Sequence, residues 1–192
     1  MNSRTSIRTI TQIAVMAAVM CILGPMSIPI GAVPISLTPF TVMLTVYLLG
    51  MRKGTISVLV YILLGMAGLP VFSGYQGGVG KVAGPTGGYI IGFIFMALVS
   101  GFFIDHFYDK IWLQVVGMLL GIAVCYTFGT IWLMVQAHMS LGAALAAGVF
   151  PFIGLDVIKM VLAILIGRLV RNALVKAGLL GEPGRRHAEE QS

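Results

Sequence analysis

Charged residues divide this chain into long uncharged runs, and the lengths of those runs measure out its architecture. A helix that crosses the hydrocarbon core of a bilayer takes about 20 mainly apolar residues, with a range of about 17–25. No charge falls between Arg8 and Arg52, and Pro29, Gly31 and Pro34 punctuate that run between Ile28 and Pro34, leaving room for two spans. Lys53 to Lys81 holds one span that ends near Gly68-Leu69-Pro70, and Val82 to Ile104 holds another. The run from Lys110 to Asp156 is interrupted at Gln136, His138 and Ser140, and a last span follows from about Ala144 or Pro151 to Gly167. The pattern predicts an all-α membrane protein with six transmembrane helices.

Sidedness tests the count independently, because short cytoplasmic loops collect lysine and arginine. With the N-terminus inside, Arg4, Arg8, Arg52, Lys53, Lys110, Arg168, Arg171, Lys176, Arg185 and Arg186 are all cytoplasmic, which is ten of the twelve basic residues. The exceptions are Lys81, in the outer loop between the third and fourth spans, and Lys159, within the sixth. One span more or fewer would scatter these clusters, so both termini are predicted to be cytoplasmic. The chain reads as a single six-helix domain over residues 1–175, followed by a short, polar, disordered cytoplasmic tail over 176–192.

Composition extends this picture to the outer surface. Of 192 residues 58% are apolar and 9% charged, against roughly 25% charged in soluble domains, and the mean hydropathy is +1.02. A surface that faces lipid accounts for the excess. Arg4 and Arg8 precede an apolar stretch as in a secretory signal, but no cleavage site follows, so the segment reads as a retained first helix. The net charge of +6 sits at span ends and not on a basic helix interleaved with aromatics, which argues against nucleic acid. Cys21 and Cys125 lie inside spans as small hydrophobes, and the twelve methionines form no array with histidine, so no metal site is predicted. His106, His138 and His187 lie at span ends or in the tail, and Ser57, Ser73 and Ser100 have no evident base, so no catalytic residue and no cofactor is assigned.

Candidate chemistry concentrates in two places. Asp156 and Lys159 sit inside the sixth span, where each charge costs about 2.5–3.5 kcal/mol on insertion scales. At i and i+3 they share a helical face, one to two turns below the outer surface if the helix starts near Pro151. Such a pair offers an acceptor beside a donor to a ligand head that carries both N–H and C=O groups. The lesser readings are a self-contained ion pair that fixes helix packing, or a proton relay. The second place is the outer loop from Gly74 to Gly88, with seven glycines in fifteen residues together with Lys81. It reads either as a lid over a ligand or as a plain connector. Its Gly80-Lys81 lacks the first glycine and the Ser/Thr of a phosphate loop, and the nucleotide reading is rejected. Ala14 and Ala18, with Ala17 beside them, form a small-residue face on the first span that suits either a partner helix or internal packing. No internal repeat is evident, which disfavours the alternative of a proton-coupled secondary carrier using Asp156.

Four segments together resemble the BioY family, the biotin-binding S components of energy-coupling factor (ECF) transporters. They are Gly84-Pro85-Thr86-Gly87-Gly88-Tyr89, Gly68-Leu69-Pro70-Val71-Phe72 with its glycine loop, Val33-Pro34-Ile35-Ser36-Leu37, and Asp156-x-x-Lys159. The likeness runs from about Ala14 to Arg171. It implies an S-component-like bundle in the cell membrane that captures biotin from outside, with a transmembrane coupling subunit and two cytoplasmic ATPases as partners. On this chain Asp156 and Lys159 would hold the ureido ring. The loop, through Gly77, Gly78, Gly84, Thr86, Gly87, Gly88 and Tyr89, would cover the site, and Ala14 and Ala18 would meet the coupling subunit. Charge alone suggests Lys81 for the valerate carboxylate. The sequence departs from the family pattern at Thr38-Pro39, where many relatives carry a glutamine-containing stretch, and no ligand contact is assigned there.

Overall fold

The computed structural model describes residues 3–30 and 33–180, with side chains from Ile7 onward. Gly31 of the first break and tail residues 181–192, including Arg185 and Arg186, lie outside the described residues, as does the side chain of Arg4. The elements are α1 (Ser3–Leu23), β1 (Ser27–Ile28), β2 (Ile35–Ser36), α2 (Thr38–Met66), α3 (Val79–Ala83), α4 (Gly87–His106), α5 (Ile111–Ala137), α6 (Leu141–Gly148) and α7 (Phe150–Lys176). The two short strands pair antiparallel, Ser27 opposite Ser36, and close the first break as a small clasp.

The second and third predicted spans form one helical run that doubles back. Gly50 interrupts α2 at φ 78° and ψ −178°, a conformation essentially restricted to glycine. A Cβ placed on Gly54 would lie 2.9 Å from the Cα of Val46, although residues eight apart in a continuous helix are separated by about 12 Å. The arms 38–49 and 51–66 are therefore an antiparallel hairpin. Among the described residues four helices qualify as membrane spans by length and composition, with α2 taken whole, and α1 adds a shorter apolar stretch from Ile7 to Leu23. Six helical arms thus answer to the six predicted spans, but loosely, since each arm of α2 is shorter than a full crossing.

Breaking a helix inside a bundle exposes its carbonyls and amides, and here charged side chains satisfy them. Arg171 of α7 is 2% exposed. It donates to the Tyr47 and Leu48 carbonyls at 2.9 and 3.2 Å, and its guanidinium lies 4.7 Å above the Tyr108 ring. Asp105 of α4 accepts the Met51 amide at 2.8 Å. The cation thus serves the C-terminus of the first arm and the anion serves the N-terminus of the second, as the helix dipole favours. Tyr47 Oη donates to Gln114 Oε1 at 3.0 Å, and Gln114 Nε2 donates to the Tyr108 carbonyl. Together these bonds tie the α4–α5 turn to the hairpin and to α7.

The segment around Arg8 and Gln12 and the segment around Gly178 and Leu179 meet at this same end of the bundle. Gln12 of α1 donates to the Leu179 carbonyl at 2.9 Å and receives Lys53 Nζ at 3.2 Å, and Arg8 donates to the Gly178 carbonyl. Arg8, Lys53 and Arg171 share one end, in agreement with the sidedness read from charge. Leu180 is buried, so the packed unit reaches past residue 175 into the segment read as tail.

Two spans start or end elsewhere than the charge spacing indicates. Val82 belongs to α3 and not to the fourth span, because Gly84-Pro85 breaks the run and α4 begins at Gly87. The last span continues from Gly167 to Lys176 because Arg171 has backbone partners inside the bundle. The break near His138 is as the polar group indicates. His138 is left-handed at φ 50°, and Ser140 Oγ accepts the Ala143 amide to cap α6. Outward faces of α5 and α7 carry Leu119, Leu120, Ile131, Leu162, Leu165 and Leu169 in the open, as a lipid-facing surface requires.

Gly50→Ala is expected to destabilise the protein by about 1–3 kcal/mol, the usual cost of forcing a side chain into this backbone region. Arg171→Met, which strands two buried carbonyls, is expected to do at least as much harm. Apparent melting temperatures of the detergent-solubilised variants check both.

Candidate functional site

At the opposite end the helices part around a largely apolar cavity. The segment before α2 and the helices α2, α4, α5, α6 and α7 each bring part of the wall. The segment before α2 contributes Val33, Pro34 and Ser36, and the hairpin contributes Thr38 and Tyr61. Tyr61 Oη donates to the Val71 carbonyl at 3.0 Å, and Phe72 packs edge-on to its ring at 5.7 Å. Phe72 fits there because Gly65 has no side chain, a Cβ on which would lie 2.2 Å from the Phe72 ring.

Tyr89 is the corner post of the cavity. Its hydroxyl donates to the Gly148 carbonyl at 3.0 Å, tying α4 to the end of α6. A Cβ on Gly129 would lie 2.2 Å from its ring, and one on Gly148 would lie 2.0 Å from its hydroxyl. Two glycines from different helices thus make the slot into which this ring fits, and the ring holds α4, α5 and α6 at fixed spacing.

Asp156 and Lys159 line the same cavity at the start of α7. Lys159 Nζ donates to Asp156 Oδ1 at 2.9 Å, and the residues are 8% and 3% exposed. Tyr126 of α5 donates to the other oxygen, Oδ2, at 2.6 Å. The carboxylate is thus held between a cation and a phenol, and each oxygen retains a lone pair. The ammonium keeps two hydrogens that the ion pair does not use. Around this polar end the wall is largely apolar and aromatic, with Phe93, Ile122 and Phe152 among its residues.

The structure separates the residues of the glycine loop. Thr86 and Tyr89 line the cavity. Gly77, Lys81 and Gly84 line a second depression, which meets the first at Thr86. Partial burial holds the Lys81 ammonium below the usual lysine range. Gly78 caps α3 at φ 90°. Gly87 and Gly88 allow close packing: a Cβ on Gly87 would lie 1.7 Å from the Val82 carbonyl oxygen, and one on Gly88 would lie 2.2 Å from the Trp132 side chain. Neither faces the cavity, so their place is in the α3–α4 turn and the α4–α5 contact. Trp132 Nε1 donates to the Gly84 carbonyl at 2.9 Å, so the loop is fastened to α5 and is not a free flap. Thr86 Oγ1 is buried and has no hydrogen-bond partner among the described residues.

The sequence profile of the BioY family matches residues 1–176. The chain belongs to the BioY family. A biotin transporter BioY of Thermotoga maritima is 37% identical over 88% of this chain and 99% of its own length. A BioY of Rhizobium etli is 36% identical over 86% of this chain and 94% of its own. Among solved structures, the S-component for biotin from an ECF-type ABC transporter superposes with a TM-score of 0.83 at 35% identity, over 90% of this chain and 95% of that one. The BioY chain described here is accordingly a multi-pass membrane protein of a transporter family with the S-component fold.

Of the residues singled out in the sequence, Asp156, Lys159, Thr86 and Tyr89 line the cavity, while the aromatic wall is not singled out. Tyr61, Tyr126 and Phe152 look like ordinary apolar filling in spans, and nothing local distinguishes Tyr126 from the other five tyrosines. Thr38, left unassigned at the departure from the family pattern, also lines the cavity. Its hydroxyl is already engaged with Ser36 and the Gly24 carbonyl.

Trp132→Phe removes the bond to the Gly84 carbonyl while keeping an aromatic ring. Amide hydrogen exchange in residues 78–86 is expected to quicken by about tenfold, the equivalent of one hydrogen bond worth about 1.4 kcal/mol, with the rest of the BioY bundle unchanged.

Proposed function

We propose that this protein captures biotin at the outer face of the cell's inner membrane, as the substrate-binding S component of an ATP-driven ECF transporter. The observation that carries the reading is the buried Asp156–Lys159 pair at the polar end of an aromatic cavity. A ring urea presents N–H donors beside a C=O acceptor, and the pair presents their complements: lone pairs on the carboxylate and unused hydrogens on the ammonium. Burial makes these hydrogen bonds strong and excludes water as a competitor. The apolar ring and tail of the vitamin suit the wall formed by Phe93, Ile122 and Phe152. Its tail then runs past the Thr86 hydroxyl, which has no partner among the described residues, toward Lys81 in the second depression, which suits a carboxylate. The names of the relatives and of the matching structure support the same ligand.

The proposed partners are a transmembrane coupling subunit and two cytoplasmic ATPases. Ala14 and Ala18 are exposed on α1, while Ala17 between them is 2% exposed and packs inward. The outward small residues therefore leave a smooth strip on which a foreign helix can lie close.

Titration calorimetry on detergent-solubilised protein is expected to show biotin binding without nucleotide. Asp156→Asn, which leaves Lys159 buried without its counter-charge, is expected to weaken binding about 100-fold or more, far more than Thr38→Ala. Well-folded wild-type protein that binds no biotin would overturn the assignment. Leucine at Ala14 or Ala18 is expected to prevent co-purification with the coupling subunit while biotin affinity stays within about twofold, because a surface substitution leaves the cavity untouched. Loss of affinity in these variants would place the two alanines in the packing of the bundle itself.

A further inference from the structure

The functional reading uses Asp156 and Lys159 and leaves Tyr126 without a role, yet Tyr126 donates a 2.6 Å hydrogen bond to Asp156 Oδ2. The two residues are on different helices, α5 and α7, and both face the cavity. Left to itself, an aspartate three residues before a lysine on one helix has a simpler arrangement. Both carboxylate oxygens can turn toward the single ammonium, the charges neutralise each other, and the pair presents little to a ligand. Here only Oδ1 is on Lys159, at 2.9 Å. The phenol holds Oδ2 away from the ammonium. This keeps the carboxylate turned so that each oxygen has an open lone pair, and it keeps hydrogens on Nζ available.

We infer that Tyr126 is the positioning residue of the binding site. It holds the Asp156 carboxylate out of a closed, self-satisfied pair with Lys159, and so makes the cavity selective for a head group that donates N–H and accepts at C=O together. The inference rests on the biotin reading above and adds to it a residue and a reason for selectivity. Because Tyr126 donates, the carboxylate remains a pure acceptor toward the ligand. A second carboxylate, or an ether in place of the ring nitrogen, meets repulsion or an unpaired lone pair. The other ionisable side chains facing this cavity are Cys125 on α5, Tyr89 on α4 and Tyr61 on α2. Cys125 Sγ and the Tyr89 and Tyr61 hydroxyls all point their hydrogens at backbone carbonyls. None of them is placed on Asp156 to substitute for Tyr126.

Tyr126→Phe tests the inference, since it removes one oxygen and keeps the ring that packs in the wall. Three measurements are made on purified full-length protein: biotin affinity by calorimetry, melting of the ligand-free protein, and the infrared carboxylate stretch of Asp156, assigned by its loss in Asp156→Asn. The expected result is a dissociation constant raised by about 10-fold or more, because the ligand must first open the closed Asp156–Lys159 pair, which leaves about a tenth or less of the protein binding-competent. Ligand-free melting stays close to wild type, and the Asp156 band moves as the carboxylate turns onto Lys159. Biotin fully methylated on its ureido nitrogens, which cannot donate to the carboxylate, is expected to bind both proteins equally or not at all. An unchanged biotin affinity overturns the inference. So does weakened binding with the carboxylate band unmoved, which would make Tyr126 a wall residue or a direct ligand contact. If wild-type protein itself binds no biotin, the functional reading fails; a moved carboxylate band in ligand-free Tyr126→Phe is then still the measure of the positioning role.

Discussion

A chain that breaks a helix within a bundle must pair the amides and carbonyls it releases, because no water is there to do so. The break at Gly50 sets this requirement, and the arrangement of the cytoplasmic end follows from it. Arg171 must reach the Tyr47 and Leu48 carbonyls, and that fixes the rotation and height of α7 against the hairpin. Asp105 must reach the Met51 amide, and that fixes α4. A Cβ on Gly167 would meet the Tyr47 ring at 2.6 Å, and one on Gly101 would meet the Met51 Cα at 2.5 Å. Close approach and hydrogen bonding thus enforce one geometry from two directions.

The height of α7 is what places Asp156 and Lys159, which lie three to four turns before Arg171 on the same helix. One buried cation near the inner end anchors the helix, and one buried pair near the outer end faces the cavity. The two ends differ in how their polar groups are used. At the inner end Arg171, Tyr47 and Gln114 spend their hydrogen bonds on the protein. At the outer end the Asp156–Lys159–Tyr126 set keeps capacity in reserve, and the Thr86 hydroxyl has no partner among the described residues. Unused hydrogen-bonding capacity in a buried place is costly, and a ligand that fills it recovers that cost as affinity. The outer end is thus suited to binding while the inner end is closed by side chains that have other work.

Glycine-rich sequence at the outer end carries several roles that look alike in one dimension. Gly78 turns the backbone, Gly87 and Gly88 admit neighbours, and Gly77 and Gly84 border the second depression. The Gly84 carbonyl is pinned by Trp132. What reads as a lid or a connector is a packed cap in which only Thr86 and Tyr89 reach the cavity. Those two residues join the cap to the chamber, so any movement of the cap is felt at the cavity.

Much of this was legible in one dimension, since the cost of charge in hydrocarbon leaves its mark on the sequence directly. The spacing of charges, with the prolines, glycines and polar residues between them, placed the breaks near Pro29, Pro70 and His138, their sidedness put Arg8, Lys53 and Arg171 at one end, and the unusual position of Asp156 and Lys159 singled them out. The same argument misjudged Arg171. A count of charges treats every arginine as belonging in water, whereas this one is satisfied by carbonyls that a distant glycine releases. It also could not see that Tyr126 meets Asp156, or that Gly129 and Gly148 make room for Tyr89, because such contacts join residues tens of positions apart. Solvation is a property of each residue and can be read along the chain. Close packing and hydrogen-bond pairing belong to pairs of residues, and only the folded bundle decides which pairs meet.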